Sequence, residues 1–282
     1  MYKLIAIDLD GTLLDGKKKV SNENIDMLNK VYSEKGVIPV IVTGRPYVVA
    51  KHIGNIIGEC AKKYIVAANG SMVEDNINKK YIAKNNISKE ETVKIIDICE
   101  KYGFRCSADV GEVLLKSDEP REKQNYINLG QPYIVVDSVK KYIEDNNCNC
   151  FVITFVGEEK DLIAASKELR EIGGVEPSDR CEWVSYDGEK TIKGSYIDIM
   201  KKGCNKANGL KVLADYLNIK KEEIMAIGDG GNDLPMFEFA GLKVVMENGL
   251  DNVKEKADYI TQSNANSGVA KAIQKIIFEE NI

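Results

Sequence analysis

The sequence predicts an α/β fold: a doubly wound, Rossmann-like parallel sheet core with an inserted α+β cap domain. Two observations predict it. Short apolar runs alternate with helical patterns over residues 1–84, and the same alternation returns from about residue 196. Residues 85–195 mix strands and helices differently and are numerous enough to bury a core of their own. We therefore expect residues 1–84 and 196–282 to form the core domain and residues 85–195 the cap.

The first part of the chain has the pattern strand, helix, strand, helix, strand. Leu4–Ile7 is an apolar run typical of a buried strand, and Ser21 can cap the helix that follows, which Gly36 can end. Pro46 suits the first turn of the second helix. The predicted elements are strand 4–7, helix 22–35, strand 37–42, a helix to about residue 60, strand 64–68 and a hairpin that turns near residues 76–78.

A different mixture of strands and helices is predicted for the cap, and the regular alternation returns after it. The cap helices are expected at 89–102, 119–129, 138–146 and 158–171, and its strands at 104–109, 112–117, 150–156, 181–186 and 191–199. The last part has predicted helices at 206–217, 231–240, 250–256 and 267–279, and strands at 223–228, 243–246 and 258–261. Short parallel strands joined by helices favour a doubly wound sheet.

Composition excludes several classes of protein. The 282-residue chain has a net charge of −5, so its overall electrostatics do not favour nucleic acid. No apolar run approaches the roughly 18 residues that a membrane-spanning helix needs. An acidic pair by residue 10 is incompatible with a secretory signal. We expect a cytoplasmic protein, a monomer or small homo-oligomer, with the Lys17-Lys18-Lys19 run in a solvated turn.

The cysteines and the single histidine do not form a recognisable metal motif. The seven cysteines are an odd number without zinc-like spacing, and reduced thiols are the simplest interpretation. Cys148 and Cys150 are interpreted as strand packing. His52 is the only histidine, so histidine triads and multi-histidine metal sites are absent.

Two carboxylates stand directly after the first apolar run. Asp8 and Asp10 are two residues apart, so they leave an extended strand on the same side. Left unpaired, they would raise each other's pKa, and this arrangement favours a cation such as Mg2+. A carboxylate beside a metal in a cleft is a known covalent nucleophile towards phosphoryl groups. The alternative, that the two residues only cap a turn, is less favoured because of the three distant segments described next.

Three more segments follow predicted strands or open a predicted helix. Thr43-Gly44 offers a hydroxyl and an accessible backbone N–H at a helix start, which suits a phosphate oxygen. Lys206 is a compact cation at the start of a helix. Gly228–Asp233 supplies glycines for close approach and carboxylates for a hard cation. Each segment alone has an ordinary interpretation: a strand-to-helix turn, a surface lysine, or a glycine-rich turn with a helix cap.

Together, in this order, the segments resemble the haloacid dehalogenase-like (HAD) phosphohydrolases, specifically the Cof-type subfamily with a type IIB cap. The motifs are Asp8-Leu-Asp-Gly-Thr, Thr43-Gly-Arg, Lys206, Gly228-Asp-Gly-Gly-Asn-Asp, Leu234-Pro-Met-Phe, Ala240-Gly, Val245-Met-Glu-Asn-Gly, Ala257-Asp and Gly268-Val. Two departures do not touch the reacting groups. Asn205-Lys206-Ala207 stands where many relatives have Ser-Lys-Gly, and Asn266-Ser267 where relatives often have acidic residues.

The resemblance implies a reaction and a metal site. Asp8 would attack phosphorus and form an aspartyl-phosphate. Asp10 would protonate the leaving oxygen and then deprotonate the attacking water, and its backbone carbonyl would be a metal ligand. The implied Mg2+ site consists of Asp8, Asp10, Asp229 and Asp233, with Asp233 acting from nearby or through water.

The resemblance also implies contacts to the phosphoryl group. The residues expected to hold it are Thr43, Gly44, Lys206 and Asn232. Arg45 would line the entrance to the site.

The implied function is a Mg2+-dependent phosphatase of small phosphate monoesters, such as sugar phosphates or nucleotide-like cofactors. Asp10 favours a phosphatase or a phosphomutase, because transport ATPases of this superfamily have Thr at that position and dehalogenases lack an equivalent acid. The alternatives are a phosphomutase of the same superfamily and a non-catalytic phosphometabolite-binding regulatory protein.

Substrate choice is expected to lie with the cap. Its aromatic residues either line a pocket or, by default, form the cap's own core: Tyr102, Phe104, Tyr126, Tyr133, Phe151, Phe155 and Trp183. Lys116, Arg121 and Lys123 either meet a second anionic group or, more simply, form a solvated face.

Overall fold

The computed structural model of the chain describes residues 1–120, 123–178, 181–187 and 190–279. The chain forms two compact units. The first, which we call the core unit, comprises Met1–Lys84, Gln124–Gly130 and Asn205–Ile282; the second, the inserted unit, comprises Asn85–Lys123 and Gln131–Cys204.

The structure alternates short strands with helices along the chain. The strands are β1 (Leu4–Ile7), β2 (Ile38–Val42), β3 (Tyr64–Ala67), β4 (Met72–Asp75), β5 (Lys80–Lys84), β6 (Arg105–Asp109), β7 (Leu114–Lys116), β8 (Tyr133–Val135), β9 (Val152–Gly157), β10 (Val175–Pro177), β11 (Cys181–Asp187), β12 (Lys190–Lys201), β13 (Ile224–Gly228), β14 (Leu242–Met246) and β15 (Tyr259–Thr261). The α-helices are α1 (Asn22–Lys35), α2 (Tyr47–Ile57), α3 (Lys89–Tyr102), α4 (Lys123–Asn128), α5 (Val139–Asn146), α6 (Glu159–Glu171), α7 (Lys206–Leu217), α8 (Leu234–Phe239), α9 (Asp251–Lys254) and α10 (Gly268–Ile273).

The core unit is built on an eight-stranded sheet in the order β15-β14-β13-β1-β2-β3-β4-β5. The strands from β15 to β3 are parallel, and β4 and β5 continue the sheet as an antiparallel hairpin. Alternate residues of β1 face opposite sides: Leu4 and Ala6 pack in one cluster with Leu210 and Leu213 of α7. Ile5 and Ile7 are equally buried, so both faces of the sheet are covered, as a doubly wound sheet requires.

The register of the parallel strands brings their carboxyl ends together. Ile7 of β1 pairs with Ile227 of β13 on one side and with Ile41 of β2 on the other. Strand β1 ends at Ile7, and the residue that follows it, Asp8, donates its N–H to Ile227 over 3.0 Å. The segments that follow these three strands therefore emerge at one edge of the sheet, where ligands bind in open α/β sheets.

The helix caps follow the sequence signals. Ser21 accepts a hydrogen bond from Asn24 N at the start of α1, and Gly36 ends that helix in the left-handed conformation with φ 69°. Both predicted caps are confirmed. Asn205 caps α7 in the same way by accepting from Asn208 N, which sets the first helical residue at Lys206.

The inserted unit has a seven-stranded sheet of its own, in the order β10-β12-β9-β6-β7-β8 with β11 on β12. All its strand pairs are antiparallel except β7 with β8. Helices α3, α5 and α6 pack on it. The core of this unit includes Phe155 and Ile153, which are fully buried, and Phe151 is 3% exposed. Phe151 and Phe155 therefore have the packing role that was the default prediction.

Several predicted elements differ from the observed ones. The predicted helix 119–129 is observed only as α4, and residues 121 and 122, including Arg121, lie outside the described residues. The predicted helix 231–240 is a 3-10 turn, Gly231–Asp233, followed by α8. The predicted helix 267–279 begins one residue later because Ser267 is left-handed, with φ 57°, and it continues beyond Ile273 as a π-helical turn. Strands β8 and β10 were not predicted, because three residues are too few for a periodic signal.

No helix in the described parts of the chain is both long and apolar enough to cross a bilayer.

A buried carboxyl group lies at the end of β6 in the inserted unit. Asp109 is 3% exposed, and Gly111 N donates to its Oδ1 over 2.8 Å. Burial raises the pKa of the Asp109 carboxyl to about 6, and the Gly111 hydrogen bond offsets only part of that effect. The ionised form is thus disfavoured in the folded state.

We predict that Asp109→Asn stabilises the protein at neutral pH. The folded-state pKa of about 6 lies above the unfolded value of about 3.9, so the contribution of Asp109 to stability is fully present below about pH 4. It is lost as the pH rises through 6, by up to about 3 kcal/mol. The asparagine keeps an acceptor for Gly111 without a charge. Urea unfolding at pH 4.5 and pH 7.5 measures the difference, with Asp97→Asn, an exposed pair partner of Lys140, as control. Equal effects of Asp109→Asn at the two pH values would contradict this account.

Candidate active site

A buried lysine lies between two carboxylates at the carboxyl edge of the core sheet. Lys206 Nζ is 2.5 Å from Asp8 Oδ1 and 2.6 Å from Asp233 Oδ1. Lys206 is 1% exposed, Asp8 is 5% exposed and Asp233 is fully buried. Burial alone would lower the pKa of Lys206, but the Asp233 and Asp8 carboxylates raise it above its usual value. The lysine is therefore a permanent cation within the site.

The backbone of the loop after β13 fixes the position of Asp233. The second carboxylate oxygen of Asp233, Oδ2, accepts from Asp229 N over 3.0 Å and from Gly230 N over 2.9 Å. A Cβ at Gly228 would lie 2.5 Å from Asp233 Cγ, so this loop requires glycine there. Asp233 thus uses one oxygen to hold the loop and the other to hold Lys206.

Asp229 is held from the opposite side by the loop after β1. Thr12 Oγ1 donates to Asp229 Oδ1 over 2.7 Å. Gly11 has φ +81°, and a Cβ there would lie 2.2 Å from Asp229 Oδ2, so glycine is needed for both conformation and space. Sequence reasoning did not assign a role to Thr12, although the residue stands in the motif that begins at Asp8.

The three carboxylates form one cluster. Asp8, Asp229 and Asp233 each offer an oxygen, and these oxygens lie within 4.8 Å of one another. Burial is the main cause that raises the pKa of Asp8 well above its usual range; the Asp233 and Asp229 carboxylates add to it, and Lys206 opposes it. Burial and the Asp233 carboxylate raise the pKa of Asp229 to about 6. Three carboxylates against one ammonium leave an excess of hard oxygen donors, a set that suits Mg2+.

Asp10 lies beside this cluster but has different partners. Arg45 Nε and Nη2 donate to its two oxygens over 2.6 and 2.8 Å, and Lys18 Nζ donates over 2.7 Å. Burial opposes the change, but Arg45 and then Lys18 lower the pKa of Asp10 far below its usual range. The Asp10 carboxylate is therefore an ionised group in a cationic clamp, and only its backbone carbonyl is left for the implied metal contact.

Lys18 corrects one sequence interpretation. The lysine run was expected in a solvated turn, and Lys17 and Lys19 are exposed. Asp15 Oδ1 accepts from the backbone N–H groups of both, and Lys18, with φ 58°, is turned inward to Asp10. No signal in the lysine run itself distinguishes the middle residue.

The remaining predicted residues are placed at the same edge of the sheet. Thr43 is 1% exposed, and its Oγ1 accepts from Arg45 N over 3.1 Å. Gly44 packs against Asn69, since a Cβ at Gly44 would lie 3.0 Å from Asn69 Oδ1. Asn232 is exposed on the 3-10 turn, where its carboxamide lies beside Gly230. The structure therefore connects Thr43 and Arg45 to Asp10, while Asn232 is placed on the solvent side of the loop.

We predict that Lys206→Met destabilises the protein by about 3 to 5 kcal/mol at neutral pH, because it leaves two buried carboxylates without their cation. The loss should shrink at pH 4, because burial raises the pKa of Asp8 well above its usual range and this carboxyl can then bind a proton. Urea unfolding at the two pH values measures it.

The control is Lys211→Met, five residues along the same helix. Lys211 is exposed and pairs with Asp215 across one turn, so we expect a change below about 0.5 kcal/mol. Similar losses in the two variants would contradict the role assigned to the Asp8–Lys206–Asp233 pairing.

Comparison with known proteins identifies similar chains along nearly the whole length. The model of a family described as haloacid dehalogenase-like hydrolase matches residues 5–273. A putative phosphatase of Bacillus subtilis, YxeH, is 30% identical, with 98% of this chain and 99% of that protein covered. The B. subtilis 5-amino-6-(5-phospho-D-ribitylamino)uracil phosphatase YcsE is 29% identical, with 96% and 94% covered.

A solved structure shows the same architecture. The structure of a haloacid dehalogenase-like hydrolase from B. subtilis matches with a TM-score of 0.82 and 25% identity, covering 98% of this chain and 100% of that one. The predicted fold class is thereby confirmed.

Proposed function

Because the chain belongs to the haloacid dehalogenase-like hydrolases, we propose that it is a Mg2+-dependent phosphatase that hydrolyses small-molecule phosphate monoesters. The observation that carries the proposal is the Asp8–Lys206 pair, joined over 2.5 Å and surrounded by Asp229 and Asp233. In this pair the carboxylate that we propose as the nucleophile lies beside a buried positive charge. The similarity to proteins named as phosphatases supports the same reaction.

Asp8 is the proposed nucleophile. One of its oxygens attacks phosphorus, the bond from phosphorus to the ester oxygen breaks, and an aspartyl-phosphate forms on Asp8. Lys206, buried against Asp8, is placed to neutralise negative charge on the transferring group. Water then attacks the phosphorus, inorganic phosphate leaves, and the Asp8 carboxylate is regenerated.

Asp10 is the proposed acid and base. It gives a proton to the leaving ester oxygen and later takes one from the attacking water. The ion pairs with Arg45 and Lys18 favour the ionised form, which is the form the second step needs. For the first step, an incoming phosphate dianion must compete with Asp10 for these two cations, so that the carboxyl can bind the proton it donates.

The phosphoryl group is proposed to be held by Thr43, the Gly44 amide, Lys206 and Asn232. Thr43 Oγ1 accepts from Arg45 N, which leaves the hydroxyl proton for a phosphoryl oxygen. Asn232 would have to turn from the solvent side of its loop to reach the same group.

The acidic cluster is the proposed Mg2+ site. Asp8 and Asp229 would ligate the ion together with the Asp10 backbone carbonyl, and Asp233 would hold the loop and contribute from nearby. When bound, Mg2+ supplies positive charge that counters the phosphoryl oxygens and the nucleophile. Burial, together with the neighbouring carboxylates, raises the pKa values of Asp8 and Asp229, and a bound cation would favour their ionised forms.

Residues 85–195 are proposed as the cap that selects the substrate, and the substrate class as sugar phosphates or nucleotide-like cofactors. The relative YcsE is named for a phosphate ester of a ribitylaminouracil, which supports a small polar ester here. Measuring kcat/KM of the protein for each ester in a panel of this class would rank the esters as substrates.

We predict Mg2+-dependent phosphate release from p-nitrophenyl phosphate and from this panel, abolished by chelator and reduced at least about 10^4-fold by Asp8→Asn. Asp215→Asn is the control, since Asp215 is an exposed carboxylate that pairs with Lys211 on the surface of α7. Transfer of phosphate between positions of one ester without release would identify a phosphomutase instead. Binding of esters with neither release nor transfer would identify a non-catalytic protein.

We also predict that Asp10→Asn acts according to the leaving group. A sugar phosphate has a poor alkoxide leaving group and needs the proton, so its turnover should fall by about 10^2 to 10^4-fold. The aryl phosphate should lose less in the step that forms the aspartyl-phosphate, which a rapid-quench burst isolates from hydrolysis. An equal loss in this first step for the two esters would contradict the acid role of Asp10.

A further inference from the structure

The segment after β3 has an unusual backbone. Ala68 and Asn69, which both have φ 51°, are two consecutive non-glycine residues in the left-handed region, and Gly70 follows with φ 83°. This is the only such consecutive pair in the described part of the chain. Left-handed alanine is rare, and a strained segment of this kind persists only where its surroundings hold it.

Hydrogen bonds hold this segment to the loop that carries Thr43. Ala68 N donates to the Arg45 carbonyl over 2.9 Å, and Asn69 N donates to the Thr43 carbonyl over 3.0 Å. The two bonds bracket Gly44. The Asn69 carboxamide lies against that glycine, where a Cβ would be 3.0 Å from Oδ1 and 3.1 Å from Nδ2. Asn69 is only 6% exposed, so its side chain is packed in this place.

The same segment also touches the helix that carries the buried lysine. A Cβ at Gly70 would lie 2.2 Å from the Asn205 carbonyl oxygen, and one at Gly209 would lie 2.7 Å from Gly70 Cα. The backbones of the segment and of the first turn of α7 are therefore in direct contact. Since Lys206 is the first residue of α7, the segment joins the Thr43–Arg45 loop to the helix of Lys206.

We propose that Asn69 is a positioning residue for phosphoryl transfer. Its backbone and carboxamide set the Thr43-Gly44-Arg45 loop so that the Gly44 amide and the Thr43 hydroxyl point at the transferring group. The proposal rests on the proposed phosphatase function. It explains why Gly44 is glycine at a position without a positive φ: the space that a side chain would take is occupied by Asn69.

The test compares two asparagines that have the same backbone conformation. Asn69 has φ 51° and ψ 40°, and Asn218, at the C-terminal end of α7, has φ 52° and ψ 41°. Asn69→Gly and Asn218→Gly both keep the left-handed backbone and both remove a carboxamide. Only Asn69→Gly removes a group that packs against Gly44, so the pair separates positioning from general backbone effects.

The measurements are kcat and KM for p-nitrophenyl phosphate, the inhibition constant of inorganic phosphate, and the thermal unfolding midpoint. For Asn69→Gly we expect kcat to fall by about 10- to 100-fold, a weaker inhibition by phosphate, and an unfolding midpoint within a few degrees of wild type. Asn69→Asp, which turns a carboxylate towards the phosphate site, should weaken phosphate inhibition further. Asn218→Gly should keep wild-type kinetics.

Wild-type kcat and phosphate inhibition in Asn69→Gly would overturn the proposal, as would an equal kinetic loss in Asn218→Gly. These outcomes are distinct from failure of the proposed function, which would appear as no phosphate release by the wild-type protein. In that case, isothermal titration calorimetry of inorganic phosphate binding in the presence of Mg2+ tests the positioning role of Asn69. Phosphate binding that is weakened in Asn69→Gly alone supports the positioning role, and equal or absent binding in the wild type and the variant overturns it.

Discussion

The contact on which the site depends is the buried ion pairing of Lys206 with Asp8 and Asp233. Three charged groups with almost no solvent access are tolerable only because each carries a close partner of opposite sign. The pairing joins three distant parts of the chain: the end of β1, the start of α7 and the loop after β13. It therefore fixes the position of Asp8, the proposed nucleophile, relative to Asp233. It also couples the proposed chemistry of the site to the stability of the core unit.

Glycines make this close arrangement possible. At Gly11 and Gly228 a side chain would collide with Asp229 and Asp233, and at Gly70 it would collide with the backbone at Asn205. Gly228 is the last residue of β13, and Gly11 and Gly70 stand just beyond β1 and β3, where the chain turns away. The carboxylates lie within 4.8 Å of one another, and glycine at positions 11 and 228 leaves the space that Asp229 and Asp233 occupy.

The fold class and the convergence of Asp8, Asp229 and Asp233 were predictable from the sequence, because apolar runs mark the parallel strands and their carboxyl ends must meet. Lys206 opens a helix and was expected at the site only through the combination of motifs and the family resemblance. The partners of Asp10 were only partly predictable. Arg45 follows a strand and was expected nearby. Lys18 donates to Asp10 from a left-handed backbone conformation, and nothing in the run of three lysines indicates that conformation. Asn69 was missed as a site residue because an Asn-Gly pair after a strand ordinarily indicates only a turn.

The charged residues of the site form two groups that favour ligands of opposite charge. Around Asp8, three carboxylates share one ammonium; burial and the neighbouring carboxylates raise the pKa values of Asp8 and Asp229, and a cation is favoured. Around Asp10, one carboxylate has two cations, so its pKa is lowered and an anion is favoured. A phosphate ester bound together with a divalent cation suits both groups. The metal can balance the carboxylates around Asp8, and the phosphate dianion can bind beside Arg45 and Lys18. The two ligands should therefore bind with positive cooperativity, each relieving the repulsion that the other would meet alone.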